Sequence, residues 1–338
     1  MFRLKLFLMS LTKKMWPKVT GFAVLAVLTA LAALILRNYV PDGPYSDFIR
    51  AETVNSILSI IASTMLAVTT FSLSTMVSAY SAATNATPRA TKLVMEDSTT
   101  QNVLATFLGS FVFSLVGIIT INLNIYSGNG LLVVFIITML LIILIIGTFI
   151  RWIEHLRKLG RLKDTTRLVE NEAVKAMEMR RKAPYLRANP LEDITEDLYP
   201  IKQAQYGYIQ YIDIEKLNII GKENDLNIYI ICLPGAFVGP ASIIAFVSTE
   251  VDDRVSKQIS SSVVIGDERN YEQDPRFGLC VLNEIATKAL STAINDTGTV
   301  IDVIGRLVRV LAIYADVEQE PEVKYERIWV PSLSIEDL

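Results

Sequence analysis

The stretch LLVVFIITMLLIILIIGTFI, residues 131–150, contains nothing more polar than Thr and Gly. On a helix it matches the roughly 30 Å of hydrocarbon in a bilayer, which takes about 20 consecutive apolar residues to cross. A chain carrying such a run is organised around a membrane. Three further runs approach the same length and character, at about 19–36, 54–80 and 103–125. Hydrophobic residues make up 51% of the chain, and the excess falls in the first 150 residues, so a membrane domain precedes a soluble one.

Basic residues set the expected orientation. Arg3, Lys5, Lys13, Lys14 and Lys18 precede the first run, Arg89 and Lys92 follow the second, and Arg151, Arg157, Lys158, Arg161, Lys163 and Arg167 follow the fourth. Between the first and second runs, Arg37 and Arg50 are diluted by Asp42, Asp47 and Glu52, and YSGNG before the fourth run is uncharged. Four transmembrane helices with both termini cytoplasmic put every basic flank on one side. The first run ends in LILRNYV without a small-x-small cleavage site, so it is expected to stay as a span and not leave as a signal peptide. Residues 1–18 read as a basic segment able to lie as an interfacial helix on the cytoplasmic leaflet.

The second run is unusual in its hydroxyls. Ser56, Ser59, Ser63, Ala67, Thr70, Ser74 and Ser78 follow one another at steps of three or four, which is one face of a helix. Thr106, Ser110, Ser114 and Gly117 make a shorter stripe on the third run. Small residues let helix backbones approach, and Ser or Thr can bond across helices or back to a carbonyl. The same stripe could instead face water and line a pore. Between residues 54 and 125 the charges are confined to Arg89, Lys92, Glu96 and Asp97, all in a loop. Coupled transporters place ionisable groups within the bilayer, so passive conduction fits better than active transport.

The soluble part divides by charge. Residues 151–182 hold 10 basic and 5 acidic side chains and read as one long basic juxtamembrane helix continuing the fourth span. Pro184, Pro190 and Pro200 mark 183–204 as a linker. Residues 205–338 read as a cytoplasmic α+β domain. YGYIQYID, LNIYIICL, ASIIAFVS, SSVVIGD and YERIWVPSL are its expected strands, and IEKLNIIGKEN is a helix. Two more helices start at Asp274-Pro275 and near Asp296, each Asp placed as an N-cap. From residue 183 onward 13 basic residues face 25 acidic ones, which argues against nucleic acid as a partner. Cys232 and Cys280 are isolated and His155 is the single histidine, so neither a metal site nor a cofactor is expected. No phosphate loop, nucleophile elbow or other catalytic constellation stands out, and the chain is not read as an enzyme. Arg269, Asp274, Glu284, Asn295 and Asp296 form a polar block suited to a ligand or to domain contacts.

Several of these pieces carry a family resemblance. STMLAVTTFSLSTMVSA, TPR with Asp97, Gln101 and FLGSF downstream, GYIQYID, LPGAFVGP, and IGDERNYEQDPRFGLCVLNEIATKALSTAIND stand in the order seen in the DUF2254 membrane proteins, which the chain resembles over most of its length. The resemblance implies a polytopic protein of the bacterial inner membrane with a cytoplasmic domain. It implies no particular activity and no catalytic residues. The family form after ALS reads like Pro-Gly-Ile-Asn-Asp-Pro, whereas this chain has Ser291-Thr292-Ala293-Ile294-Asn295-Asp296-Thr297. Loss of the Pro-Gly turn predicts a more continuous helix there.

The expected function is therefore a homo-oligomer in the lipid bilayer, conducting ions or small solutes passively under the control of its cytoplasmic domain. The acidic domain tilts the expectation toward cations. The alternative is a non-conducting sensor or scaffold that binds a ligand or partner through that domain.

Overall fold

A computed structural model describes residues 15–36, 50–95, 97–123, 129–157, 160–192, 198–315 and 322–333. The interfacial helix expected at the chain start and the loops holding Asp42, Asp47 and most of YSGNG lie outside these residues. The chain forms two compact units, Met1–Asp164 and Thr165–Leu338.

The first unit is helical: α1 Met15–Leu36, α2 Ala51–Ala86, the short α3 Thr91–Met95, α4 Ser98–Asn122 and α5 Asn129–Leu156. Among the described residues, three helices are long and apolar enough to cross a membrane: Ala51–Thr84, Ser98–Asn122 and Gly130–Leu156. Trp16–Thr29 is a shorter apolar segment. α2 outruns its apolar stretch because helix-compatible Ala and Ser continue to residue 86. It stops where Thr87, forced extended by the following Pro88, takes φ −159° and caps a single 3-10 turn through Arg89 N–H.

α4 is the central helix, packed on α1, α2 and α5. Its small residues make this possible. A Cβ on Gly109 would stand 2.3 Å from the Phe22 ring, and one on Gly117 would stand 2.8 Å from the Leu58 side chain. Leu58 and Phe107 are fully buried in the shared core with Val54, Val103, Val134 and Trp152. Lys18 Nζ donates to Asn102 Oδ1 at 2.6 Å, and Gly160 lies against Ala79 and Ala82. The start of α1, the end of α2, the start of α4 and the segment after α5 thus share one end of the unit.

The long helix expected over 151–182 is two helices. α5 ends at Leu156 and α6 runs Leu162–Lys182. Gly160 at φ +76° turns the chain between them, a conformation that L side chains rarely adopt.

The second unit starts with α6 and continues β1 Ala188–Pro190, β2 Tyr199–Lys202, β3 Gly207–Ile212, α7 Ile214–Glu223, β4 Ile228–Ile230, β5 Phe237–Val238, β6 Ile243–Val247, α8 Asp253–Ser260, β7 Val263–Gly266, α9 Pro275–Ala289, α10 Thr297–Ala315 and β8 Tyr325–Val330. A five-stranded sheet has the order β1-β8-β4-β6-β2, and a three-stranded sheet has the order β5-β3-β7. β8 runs parallel to both its neighbours, while the other pairings are antiparallel. Ile228, Ile328, Val330, Ala245 and Val247 bury their side chains between the five-stranded sheet and α7, whose Leu217 is likewise inaccessible.

All five expected strands and the 214–223 helix are present. The stretch 183–204 is not only a linker: β1 and β2 lie in it, on the two edges of the larger sheet. Pro190 and Pro200 fit those places, because an edge strand tolerates a residue without an N–H. The more continuous helix expected across 291–297 is also absent. α9 stops at Ala289, and Asn295 at φ +49° turns the chain before α10.

Candidate functional site

The two hydroxyl stripes have opposite fates. On α2, Ser56, Ser59, Ser63, Ala67, Thr70, Ser74 and Ser78 are all exposed or half-buried on the single chain, while Val54, Leu58, Ile61 and Met65 on the other side are buried. Ser63, Thr70 and Ser78 donate their hydroxyl protons to the carbonyls of Ile60, Leu66 and Ser74 at 3.1, 2.9 and 3.1 Å. Each oxygen then presents lone pairs outward. On α4 the stripe is internal. Thr106 is half-buried and bonds to Asn102 O at 2.9 Å, and Ser110 bonds to Thr106 O at 2.6 Å. Ser114 is fully buried, and its Oγ has no hydrogen-bond partner.

Where α4 begins, Asp97 Oδ2 accepts from Thr100 N–H at 2.7 Å and Thr100 Oγ1 at 2.8 Å, an N-cap. His155, near the end of α5, places Nε2 3.0 Å from the same carboxylate oxygen and 3.0 Å from Thr100 Oγ1. The single histidine, which the sequence left without a partner, thereby ties α5 to the cap of α4. Burial pushes the Asp97 carboxyl up, but the bonds from His155 and Thr100 outweigh it and hold the group down at about 2.

In the second unit Asp274 precedes Pro275 as expected, but its side chain makes no capping bond. It turns to arginines instead. Arg269 Nε and Nη2 each lie 2.7 Å from Asp274 Oδ2, and Arg276 Nε lies 3.5 Å from Oδ1. Arg276 also donates to Pro234 O at 2.8 Å, joining this block to the LPGAFVGP loop. Gly235 in that loop has φ +92°, and a Cβ there would fall 2.2 Å from Asp274 Oδ2, so only glycine fits. Arg180, in the last turn of α6, donates to Pro331 O at 3.3 Å and feels the charges of Asp274 and Arg276. Burial, followed by the charge of Arg276, lowers its pKa to about 10, with Tyr314, Tyr185 and Asp274 acting in the opposite sense. Burial raises the pKa of the 1% exposed Asp274, against the pull of Arg269 and Arg276.

The other members of the sequence-derived block stand apart. Glu284 is further along α9. Asn295 is exposed in the turn before α10. Asp296 caps α10, accepting from Thr299 N–H at 3.0 Å and Thr299 Oγ1 at 2.6 Å, and these bonds lower its pKa.

The chain matches the family described as "Predicted membrane protein (DUF2254)" over residues 12–338. It belongs to that family. Two of its relatives are uncharacterized proteins of Mycobacterium bovis and of Mycobacterium tuberculosis strain H37Rv. Each is 22% identical, with 91% of this chain and 61% of the relative covered. The chain thus spans about three-fifths of the length of the curated relatives it matches. No solved structure matches it.

Two stretches that are far apart in sequence, LPGAFVGP and DERNYEQDPRFG, meet in space at Gly235 and Asp274. Sequence reasoning selected Arg269 and Asp274 but missed Arg180, Arg276 and Gly235. The juxtaposition of Pro-Gly and Asp-Pro-Arg in separate polar loops was the available signal. Arg180 had none, being one of three consecutive basic residues at a helix end.

Proposed function

We propose that this DUF2254 protein is a homo-oligomer of the bacterial inner membrane, with four spans per subunit and both termini cytoplasmic. In this reading the α2 stripes of neighbouring subunits surround a passive pathway for ions or small solutes, and the soluble unit controls it. The carrying observation is that the α2 stripe is left uncovered on the single chain while its counterpart on α4 is spent on internal packing. A face of small hydroxyl side chains suits lipid less well than a second helix or water. Because Ser63, Thr70 and Ser78 donate inward, such a lining would offer oxygen acceptors and favour cations. The convergence of the basic flanks of α1, α2, α4 and α5 at one end of the first unit supports the orientation.

Purified protein in liposomes should pass cations above the level of empty vesicles under a voltage or concentration gradient. Flux equal to that of empty vesicles defeats the reading. The second reading, a non-conducting sensor or scaffold, draws on the same inward hydroxyl bonds, since a stripe with its donors satisfied also packs well against a neighbouring subunit. The triple variant S63V/T70V/S74V separates the two. It alters conductance at unchanged subunit number if the stripe meets water, and it alters subunit number if the stripe meets a helix.

A further inference from the structure

The charges around Asp274 do not balance. Arg269 and Arg276 pair with the single carboxylate of Asp274, and Arg180 is close enough to feel the charges of Asp274 and Arg276, so one carboxylate stands against three guanidiniums and two positive charges are left over. A second cluster in the same unit shows what balance looks like. There Glu170 pairs with Arg306 and Arg309, and Arg306 pairs again with Asp302. Buried guanidiniums are ordinarily matched in this way, because an unpaired charge out of water is costly.

Arg180 lacks that match. It is 4% exposed, and its Nε has no hydrogen-bond partner. Its Nη2 reaches one neutral acceptor, Pro331 O, at 3.3 Å. Among the described residues no carboxylate lies within ion-pair distance of it. Arg276 Nε and Asp274 Oδ1 likewise face each other without a hydrogen bond. Asp274, by turning away from α9, leaves the first turn of that 15-residue helix without its side-chain cap. Pro275 brings no N–H to that turn and Phe277 N–H bonds to Asp274 O, so what the helix start adds is chiefly the positive end of its dipole. Arg269 and Arg276 side chains are 22% and 23% exposed, so solvent reaches the cluster at these two, while Arg180 is buried.

The geometry points to a binding site for a phosphate-bearing anion, formed by Arg269, Arg276 and the start of α9, with Arg180 as a buried charge nearby and Asp274 as the group that holds the two outer arginines in place. A phosphate monoester carries roughly −1.5 to −2 charges at neutral pH, which matches the two uncompensated guanidiniums better than a single carboxylate does. This goes beyond the proposed conduction and is independent of it.

The test uses the full chain in phosphatidylcholine nanodiscs, with inorganic phosphate titrated against chloride of matched ionic strength. Hydrogen exchange is followed by mass spectrometry in peptides covering Gly235 and the start of α9. Phosphate at about a hundredfold over its dissociation constant should slow global exchange of the second unit by about a hundredfold, with the strongest local protection in those peptides. A second arm replaces free phosphate by nanodiscs containing phosphatidic acid. Protection there, without response to free phosphate, assigns the anion to a lipid headgroup. R180M should lose the response in both arms, yet be at least as resistant to unfolding as the wild type in phosphate-free buffer, since it removes an unmatched charge. A purely structural role for Arg180 predicts the reverse, an unstable variant. If R180M does not fold, R180Q, which also removes the charge, is read instead, and a phosphate response as strong as the wild type's counts against the site. Wild-type protein that responds to neither phosphate nor phosphatidic acid overturns the proposal, whatever the variants do. Phosphate protection in a protein that passes no ions would leave this site standing and sink only the conduction.

Discussion

α2 and α4 carry the same kind of residue at the same spacing, and the fold uses them in opposite ways. On α4 the stripe of Thr106, Ser110, Ser114 and Gly117, with Gly109 beside it, is consumed by close approach to α1 and α2. On α2 the stripe from Ser56 to Ser78 stays exposed among the described residues. Small size matters on α4, where a neighbour fills the space. Polarity has room to matter on α2, where the stripe stays exposed among the described residues. Spacing alone does not distinguish a packing stripe from a presenting one. The difference lies in whether a bulky partner, here Phe22 and Leu58, comes to meet it.

The strongest way to break this contrast is to enlarge α4. Gly109→Leu would drive its Cβ into the Phe22 ring, and Ser114→Leu would overfill a fully buried position. Each is expected to destabilise the first unit by about 3 kcal/mol or more, at the upper end of overpacking, seen as a lower melting point in detergent. Ser114→Ala sharpens the point: its hydroxyl has no partner, so removal should cost under about 0.5 kcal/mol or stabilise slightly. A large loss on Ser114→Ala would mean polarity, not size, holds α4.

Next in size is the tie at the start of α4. Asp97→Ala removes two capping bonds and the contact with His155, and should cost about 1–2 kcal/mol. Asp97→Asn keeps a capping oxygen and should lose less. The same carboxylate gives a pH signature. Its folded pKa is about 2 against an ordinary 3.8, so its contribution is complete above about pH 4 and disappears as the pH falls toward 2. Unfolding curves of the wild type and Asp97→Asn should therefore converge across that acid window.

The smallest effect on folding belongs to α2. S63V/T70V/S74V should change the stability of the single-chain fold by less than about 0.5 kcal/mol, while changing flux or subunit number. A melting point that drops as far as for Ser114→Leu would erase the distinction between the two helices.

Much of this was legible in the residues themselves. The spans at 54–80, 103–125 and 131–150 announce themselves by apolar length, and the alternation in YGYIQYID and the Asp cap at Asp296 report local geometry. What stayed hidden depends on distant partners. The break at Gly160 falls inside a convincing basic amphipathic pattern, and one glycine gives little local warning. β1 and β2 are short and rich in proline, so they look like linker until an edge of a sheet is there to receive them. Asp274 satisfies the pattern of an N-cap, yet two guanidiniums outbid the helix for its carboxylate. Arg180 became visible only when a helix placed it beside loops 50 and more residues away.

The position of β8 bears on how the second unit is made. Among the described residues it is the last strand in chain order, yet it sits inside the larger sheet, flanked on both sides by strands that were synthesised long before it. Until it arrives, β1 has no partner and β4 offers an open apolar edge, a form of exposure that invites strand pairing with other chains. The pairing of β1 with β8 closes a loop of more than 130 residues, a slow step for any chain. A nascent copy would therefore carry an unfinished, adhesive sheet while the segment between β4 and β8 is made, with its spans already being threaded into lipid. Cells making this protein would be expected to shield that edge with a chaperone, and free peptides of sequence YERIWV should poison its assembly when present during synthesis but not after it.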